Sequence, residues 1–570
     1  MAKGTWRINE FYGIDQSKDG SLVNEGTSPD ARNMDTADGN LAVAAGFVKH
    51  FATPIPGNGV IRRLFILKLY STLIFSVIAK GDDDRFHLYA YDPSAEEWDD
   101  IYTWPEGIVG SYWDFLQCNI GNYDYLLIAN GESQMVKWDG ISSKAELFGS
   151  VDIVLETTVS SYSEADKKVV LADTISKDVA ARIRQAGIVI EGVTHMVAEV
   201  DEDEPAKSVV LANAPSNLPK QGDAVKVRGG LSDAKVNYIA MHYSRLFSAG
   251  DPENPNRLYY SQIPGDGRSI EDWSSDEITG SVNTGGGYVE IGDTVGDPII
   301  GIVSLSTQLL IFKRYSIYRL LGDKPSYFSI ERVDAEVEQM AHTSVARHND
   351  MAYYLTPAGL HYFNNVTVQP MYNARNIRDF MKGCKVSQTK SCEAKDMMYF
   401  SCYKGENADR EYDNAIVIYD TQRNSYMIRD GFNVADMASV DGVIYFLNDA
   451  RYVYRFNEGR DYDGQPINAY WYTPLTDLRD RQMRKKVSAV YIRGKGENKL
   501  STIMLDTYSG TSAKTNRKLM LDEREILCIE PNIAEADTFQ LKIYNEAGSR
   551  FSCHGGIEVD LTANDGRRKK

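Results

Sequence analysis

The chain is poor in cysteine: six in 570 residues, at Cys118, Cys384, Cys392, Cys402, Cys528 and Cys553. So few thiols exclude a disulfide framework, and a chain this long buries a large core without staples. The spacing Cys384-x7-Cys392-x9-Cys402 fits no zinc pattern, so free thiols are expected. Histidine is also scarce, at eight, and only His342 and His348, six apart around an expected strand at 344–346, invite a metal reading. No metal site is expected from them. Long apolar runs are missing. The greasiest stretch, 64–79, contains Lys68 and is too short to span a bilayer, and the start, MAKGTWR, lacks an apolar signal core. No membrane insertion is expected.

Catalytic motifs are missing too. There is no G-x-x-x-x-G-K-[ST] loop and no G-x-S-x-G elbow. Gly285-Gly286-Gly287 precedes no helical pattern, so it is no phosphate cradle. Carboxylates are plentiful, and a propeller glycosidase using paired acids would draw on Asp82, Asp83, Asp84, Asp293 and Asp297. A sialidase-type S-x-D-x-G-x-T-W turn is absent, and a triple-Asp turn reads first as a solvated hairpin tip. No catalytic, cofactor or metal residues are assigned, and no enzyme activity and no cofactor are expected.

Positive charge is in deficit: 62 Lys and Arg against 80 Asp and Glu, net −18. That disfavours a surface that wraps DNA or coats an anionic membrane. It does not disfavour a channel through which DNA slides without sticking. Residues 467–570 hold 14 acids and 18 bases, net +4, which leaves −22 for the rest.

What is abundant is tyrosine, 35 residues, with 45 glycines marking turns, a composition that favours β-structure. Seven segments share one pattern: apolar strand, polar turn, aromatic strand. Examples are 73–91 (LIFSVIAKGDDDRFHLYAY), 309–322 (LLIFKRYSIYRLLG) and 443–459 (VIYFLNDARYVYRFNEG). The segments begin at 73, 125, 245, 309, 352, 397 and 443. A repeat of roughly 45 residues with several short strands per unit is the signature of a β-propeller, the alternative being unrelated hairpins in two or three sandwiches.

The fold class expected is mainly β: a propeller of about seven blades, a small inserted α+β module and a C-terminal β-sandwich-like domain. The boundaries are 1–50 for an N-terminal arm with a leading strand, 51–150 for the first part of the propeller and 151–230 for the insertion. Residues 231–466 form its second part and 467–570 the terminal domain. The insertion carries an expected helix at 177–185 closed by Gly187, and an acidic turn, EVDEDE, at 199–204. In the terminal domain, strands are expected at 467–473, 486–493, 500–505, 525–529 and 538–544. Turns are expected at 494–496 and 509–510, and a basic tail at 566–570.

Three blocks carry a family resemblance. The first is Phe11-Tyr12-Gly13-Ile14-Asp15, Ser28-Pro29-Asp30-Ala31-Arg32-Asn33-Met34, Gly39-Asn40-Leu41 and Gly46-Phe47. The second runs from Arg245-Leu246-Phe247 through Asn256-Arg257-Leu258-Tyr259-Tyr260-Ser261, Asp272-Trp273 and Gly296-Asp297-Pro298 to Lys313-Arg314-Tyr315-Ser316-Ile317-Tyr318. The third is Tyr354-Leu355-Thr356-Pro357-Ala358-Gly359-Leu360. Together they resemble the tail nozzle or tail hub proteins of short-tailed bacteriophages. The resemblance implies a virion structural protein of the tail, a propeller subunit of a homo-hexameric ring assembled in the host bacterial cytoplasm. It would sit below the portal adaptor protein, hold tail fibre or plug proteins, and form the exit channel for genomic DNA during ejection, without binding that DNA specifically. A propeller glycan-binding protein or glycosidase on a virion or cell surface is the alternative.

Overall fold

A computed structural model of the chain describes residues 2–570 except 122, 150–154, 178, 181–182, 184–186, 196, 202–204, 228–233, 266–268, 274–282, 293–295, 334–339, 406–411, 478–484, 497–501, 510–512, 521–525, 530–537, 547 and 564–570. Six four-stranded antiparallel sheets and one five-stranded sheet follow one another along it as blades. Blade 1 is Ile61–Leu69, Thr72–Lys80, Phe86–Asp92 and Glu97–Thr103; blade 2 is Asp114–Ile120, Tyr123–Ala129, Val136–Trp138 and Glu146–Leu147. Blade 3 begins at Tyr238–His242, blade 4 at Ile299–Ser304, blade 5 at Ala346–His348 and blade 6 at Ser391–Ala394. Blade 7 has three strands from its own segment, Asp436–Val440, Val443–Leu447 and Val453–Phe456, and borrows its fourth, Phe47–Lys49, from far upstream. The innermost strands pack against one another at five of the joints, blade 7 against blade 1 included, and shared apolar clusters join blade 1 to blade 2 and blade 4 to blade 5, so the ring is a closed seven-bladed propeller.

The blades bury both faces, so their middle strands run apolar without alternation. In blade 4, Leu309, Leu310, Ile311 and Phe312 are all fully buried. Each of the seven repeat segments lies on the second and third strands of a blade. That is why the repeat is legible: these are the strands covered on two sides. Two joints carry the same clip. Asp114, the first residue of blade 2, accepts from Ile239 N of blade 3 at 2.9 Å, and Asp436, the first residue of blade 7, accepts from Leu64 N of blade 1 at 2.8 Å.

The insertion is one seven-stranded sheet placed between blades 2 and 3, with its own apolar cluster of Val159, Val169, Ile183, Ile190, Val209 and Val225 among others. Lys177, Val179, Ala180 and Ile183 are helical, and Gly187 N closes on Ile183 O at 2.8 Å with φ +71. The acidic turn begins as the end of a strand, Val197–Val200; its last three residues, 202–204, and the other helix positions lie outside the described residues.

The arm expected at 1–50 is not a separate element. Ala2–Ile8 pairs with Phe551–Ala563 over seven residue pairs, Ala31–Arg32 pairs with Tyr470–Tyr472, and Leu41–Val43 pairs with Phe551–Ala563. The terminal body is thus a two-sheet sandwich built from both chain ends. A continuous core joins it to blades 5 to 7, with Phe11, Leu41 and Trp471 in one cluster with Leu355, Phe400 and Phe446. The turn expected at 494–496 is the end of a long strand, Lys485–Gly496, bulged against its partner rather than reversed. The strand Ala513–Met520, AKTNRKLM, was not expected because it is polar and has no period-2 alternation. The basic tail lies outside the described residues.

Residues 1–46 add seven acids and four bases. The terminal body as folded is therefore nearly neutral at +1, and residues 47–466 carry −19.

Candidate functional site

A cavity of about 730 Å³ lies on the propeller axis where the inner strands begin. Blade 1 supplies Arg62 and Arg63, the loop before blade 2 supplies Tyr112 and Trp113, blade 2 itself Asp114, and blade 3 Tyr238. Arg314 and Tyr315 enter from a hairpin of blade 4, and His342 and Lys390 from the segments leading into blades 5 and 6.

The acids here are committed to joinery. Asp436 accepts from Arg63 Nε at 2.8 Å as well as from Leu64 N. Arg63 also donates to Trp113 O. Asp413 accepts from Ser401 Oγ at 2.5 Å. Asp114 Oδ2 lies 3.3 Å from His342 Nε2 and Oδ1 accepts from Phe115 N at 3.0 Å. Burial pulls the Asp114 carboxyl up, but the His342 ring, the Ile239 amide and Arg63 outweigh it and hold it below its ordinary value. Lys390 is part-buried by exposed area yet deep below the molecular surface, as a side chain lining a cavity is. Burial, then the nearby Arg63, pulls its ammonium down to about 8, against the pull of Asp436 and Asp413.

Of the candidate residues raised by the sequence, His342 lines this cavity and the acids do not. Asp82 to Asp84 form the tip of a blade 1 hairpin. There Asp83 binds His87 Nε2 at 2.8 Å and Arg85 Nε at 2.7 Å, and Asp84 meets Lys80 Nζ at 2.5 Å. The His87 contact holds the Asp83 carboxyl well below its usual range. Asp297 is buried at the start of blade 4, accepting from Tyr315 N at 2.7 Å and Ser316 Oγ at 2.5 Å, and so fixes the hairpin that carries Arg314. Blades 1 and 4 are not neighbours, so these acids make no pair; Asp293 lies outside the described residues. His342 and His348 part company as well. His342 faces the axis, while His348 lies 3.6 Å from Glu393 Oε1 and 3.9 Å from Asp396 Oδ1 of blade 6. Those three could offer atoms within 4.8 Å of one another to a cation. Asn349 Nδ2, 2.8 Å from His348 Nε2, and Gln422, which donates to Asp396 Oδ2 at 2.8 Å, already use the group. Cross-blade neighbours such as these, and the ring of axial cations, have no sequence spacing that would reveal them.

The blocks that carry the resemblance occupy joints. A Cβ on Gly13 (φ +86) would stand 2.3 Å from Tyr426 O, and one on Gly46 would stand 1.8 Å from Asp461 O. Ser28 Oγ sits 2.7 Å from Tyr472 O. Asn33, at φ +55, donates to Asp430 Oδ1 and Asn468 O and accepts from Asp430 N and Tyr462 OH, all within 3.0 Å. Arg245 is fully buried and donates to the carbonyls of Ser261, Gly285 and Asn283. Lys313 Nζ donates to Ile291 O at 2.6 Å.

No family model and no curated protein matches the chain. Among solved structures it is similar to BamB from Moraxella catarrhalis, at 11% identity and TM-score 0.30, over 71% of this chain and 97% of that one. It is also similar to the Pan2 WD40 domain of Neurospora crassa, at 10% identity and TM-score 0.33, over 75% and 97%. An exo-beta-1,3-galactanase from Phanerochaete chrysosporium matches at 6% identity and TM-score 0.21, over 56% and 94%. Likenesses this distant carry no functional argument, and the propeller assignment stands on the sheet topology itself.

Proposed function

We propose that this chain is a non-enzymatic ring subunit of a short-tailed phage tail, a nozzle or hub that six copies close around the DNA exit channel. The observation that carries the reading is where the resemblance residues go. Gly13, Ser28, Asn33, Gly46 and Phe47 bind the propeller to the terminal sandwich, and Arg245 and Lys313 tie strands to loops within it. Their role is to make a stiff disc with a stiff handle, which is what a tube wall under pressure requires. A head-to-tail interface between such discs closes into a ring when its rotation allows. Residues 47–466, at −19, repel a duplex rather than hold it, so genomic DNA passes without specific binding. The adaptor above, and fibres or a plug, are the partners; the inserted module, standing out between blades 2 and 3, is a place for one of them.

The glycosidase alternative gains nothing from the acids it named, since Asp83 and Asp84 are paired within a hairpin of blade 1 and Asp297 within blade 4. Light scattering tests the ring reading. With 63.9 kDa per chain, six copies give about 380 kDa. A particle that stays at one chain's mass at high concentration, with the adaptor of the same tail present, sinks it.

A further inference from the structure

The axis reverses the charge of the body around it. Residues 47–466 hold 59 acids and 40 bases, yet the cavity is lined by four cations, Arg62, Arg63, Arg314 and Lys390, and two acids, Asp114 and Asp413. Those acids, and Asp436 beneath them, already accept hydrogen bonds from the fold. Arg63 is likewise engaged, by Asp436 and Trp113 O, but Lys390 and Arg314 are less committed. Lys390 engages Ser401 through its backbone N–H at 3.0 Å, and its Nζ has no hydrogen-bond acceptor among the described residues. Arg314 is exposed, and its guanidinium likewise has no acceptor among the described residues. Its hairpin is nevertheless held in place, because Asp297 takes both Tyr315 N and Ser316 Oγ. Two exposed tyrosines, Tyr112 and Tyr315, also line the cavity.

We infer that the axial cavity is a binding site for a small polyanion carrying oxyanion groups, phosphate or carboxylate, held by Lys390 and Arg314 within a lining that also carries Arg62 and Arg63. The volume, about 730 Å³, suits a small molecule and not a chain segment of a folded partner. An ammonium offers a point charge and a guanidinium a planar fork, the pair that grips an oxyanion from two sides. Burial disfavours the Lys390 charge, and a bound anion offsets part of that cost. This inference does not rest on the ring reading, because a single propeller contains every residue it uses.

The experiment is calorimetric titration of the whole chain with inorganic pyrophosphate and, separately, with citrate, at low salt. Wild type binds at least one probe. Lys390→Met and Arg314→Gln each weaken that binding by about tenfold or more, while Lys382→Gln, at an exposed lysine that does not line the cavity, leaves it unchanged. Binding of pyrophosphate alone assigns a phosphate ligand, and binding of both assigns oxyanions in general. Two results overturn the inference: no heat from either probe up to about 10 mM, or binding that both axial variants leave intact. Arg314 is exposed, so its variant folds even if the Lys390 variant does not, and its titration alone then decides.

Discussion

Removing the Phe47 side chain is expected to loosen the closure of the propeller. Phe47–Lys49 is the outer strand of blade 7, paired Phe47 to Phe456, Val48 to Arg455 and Lys49 to Tyr454. Phe47 is 3% exposed, and its ring meets Phe432, Phe446, Tyr454 and Tyr462 with centroids 4.9–5.2 Å away. Phe→Ala in a core costs about 3–5 kcal/mol, and four aromatic neighbours put this site near the upper end. The propeller segments hold roughly 340 residues, so an unfolding entropy of about 2.1 cal/mol/K per residue gives about 0.7 kcal/mol/K. A loss of about 4 kcal/mol then lowers the melting temperature by about 6 °C. The assay is a slow-scan melt followed by intrinsic fluorescence, with Tyr70→Ala, at a fully exposed residue, as the control expected not to move. A Phe47→Ala shift under about 1.5 °C, worth about 1 kcal/mol, refutes the argument that this strand closes the ring.

Asn33→Ala strips four hydrogen bonds and leaves a non-glycine residue at φ +55, for a loss of about 3–5 kcal/mol in denaturant titration; Asn33→Asp is expected to be worse at pH 7, because it sets a second carboxylate 3.0 Å from Asp430. Acid is expected to weaken the fold. Burial holds His242 and His50 down to about 4, Arg455 adding to the effect at His50. The unfolded chain, with histidine near 6.5, then binds more protons than the folded one between about pH 6.5 and 4, so stability is lost as pH falls through that window. His242→Gln should reduce the loss of unfolding free energy across that window, read by urea titration, by roughly 1–2 kcal/mol, and an unchanged pH dependence contradicts the assignment. The inserted module, expressed as residues 155–227, is expected to fold alone with a cooperative melt, since Leu155 pairs with Val227 and its core is its own; a featureless spectrum counts against it.

The propeller was legible because its middle strands are buried on both faces and therefore carry near-continuous apolar and aromatic runs at a steady spacing. Phe312 and Phe446 belong to such runs. The joining of the chain ends was not legible. Ala2–Ile8 and Phe551–Ala563 are more than 540 residues apart, and Ala31–Arg32 is too short to show any period. Motif residues such as Asn33 and Gly46 stood out in the sequence, but only their contacts show them to be joints. The axial cavity was invisible for a related reason. Arg62, Arg314 and Lys390 come from three blades, and no one-dimensional pattern brings them to one axis.

The central claim is that the chain works as a closed ring of stiff discs. Negative-stain imaging of the purified chain, alone and with its adaptor, tests it most directly. The account predicts six-fold rings of about 380 kDa around an open channel. A field of isolated discs under both conditions contradicts it.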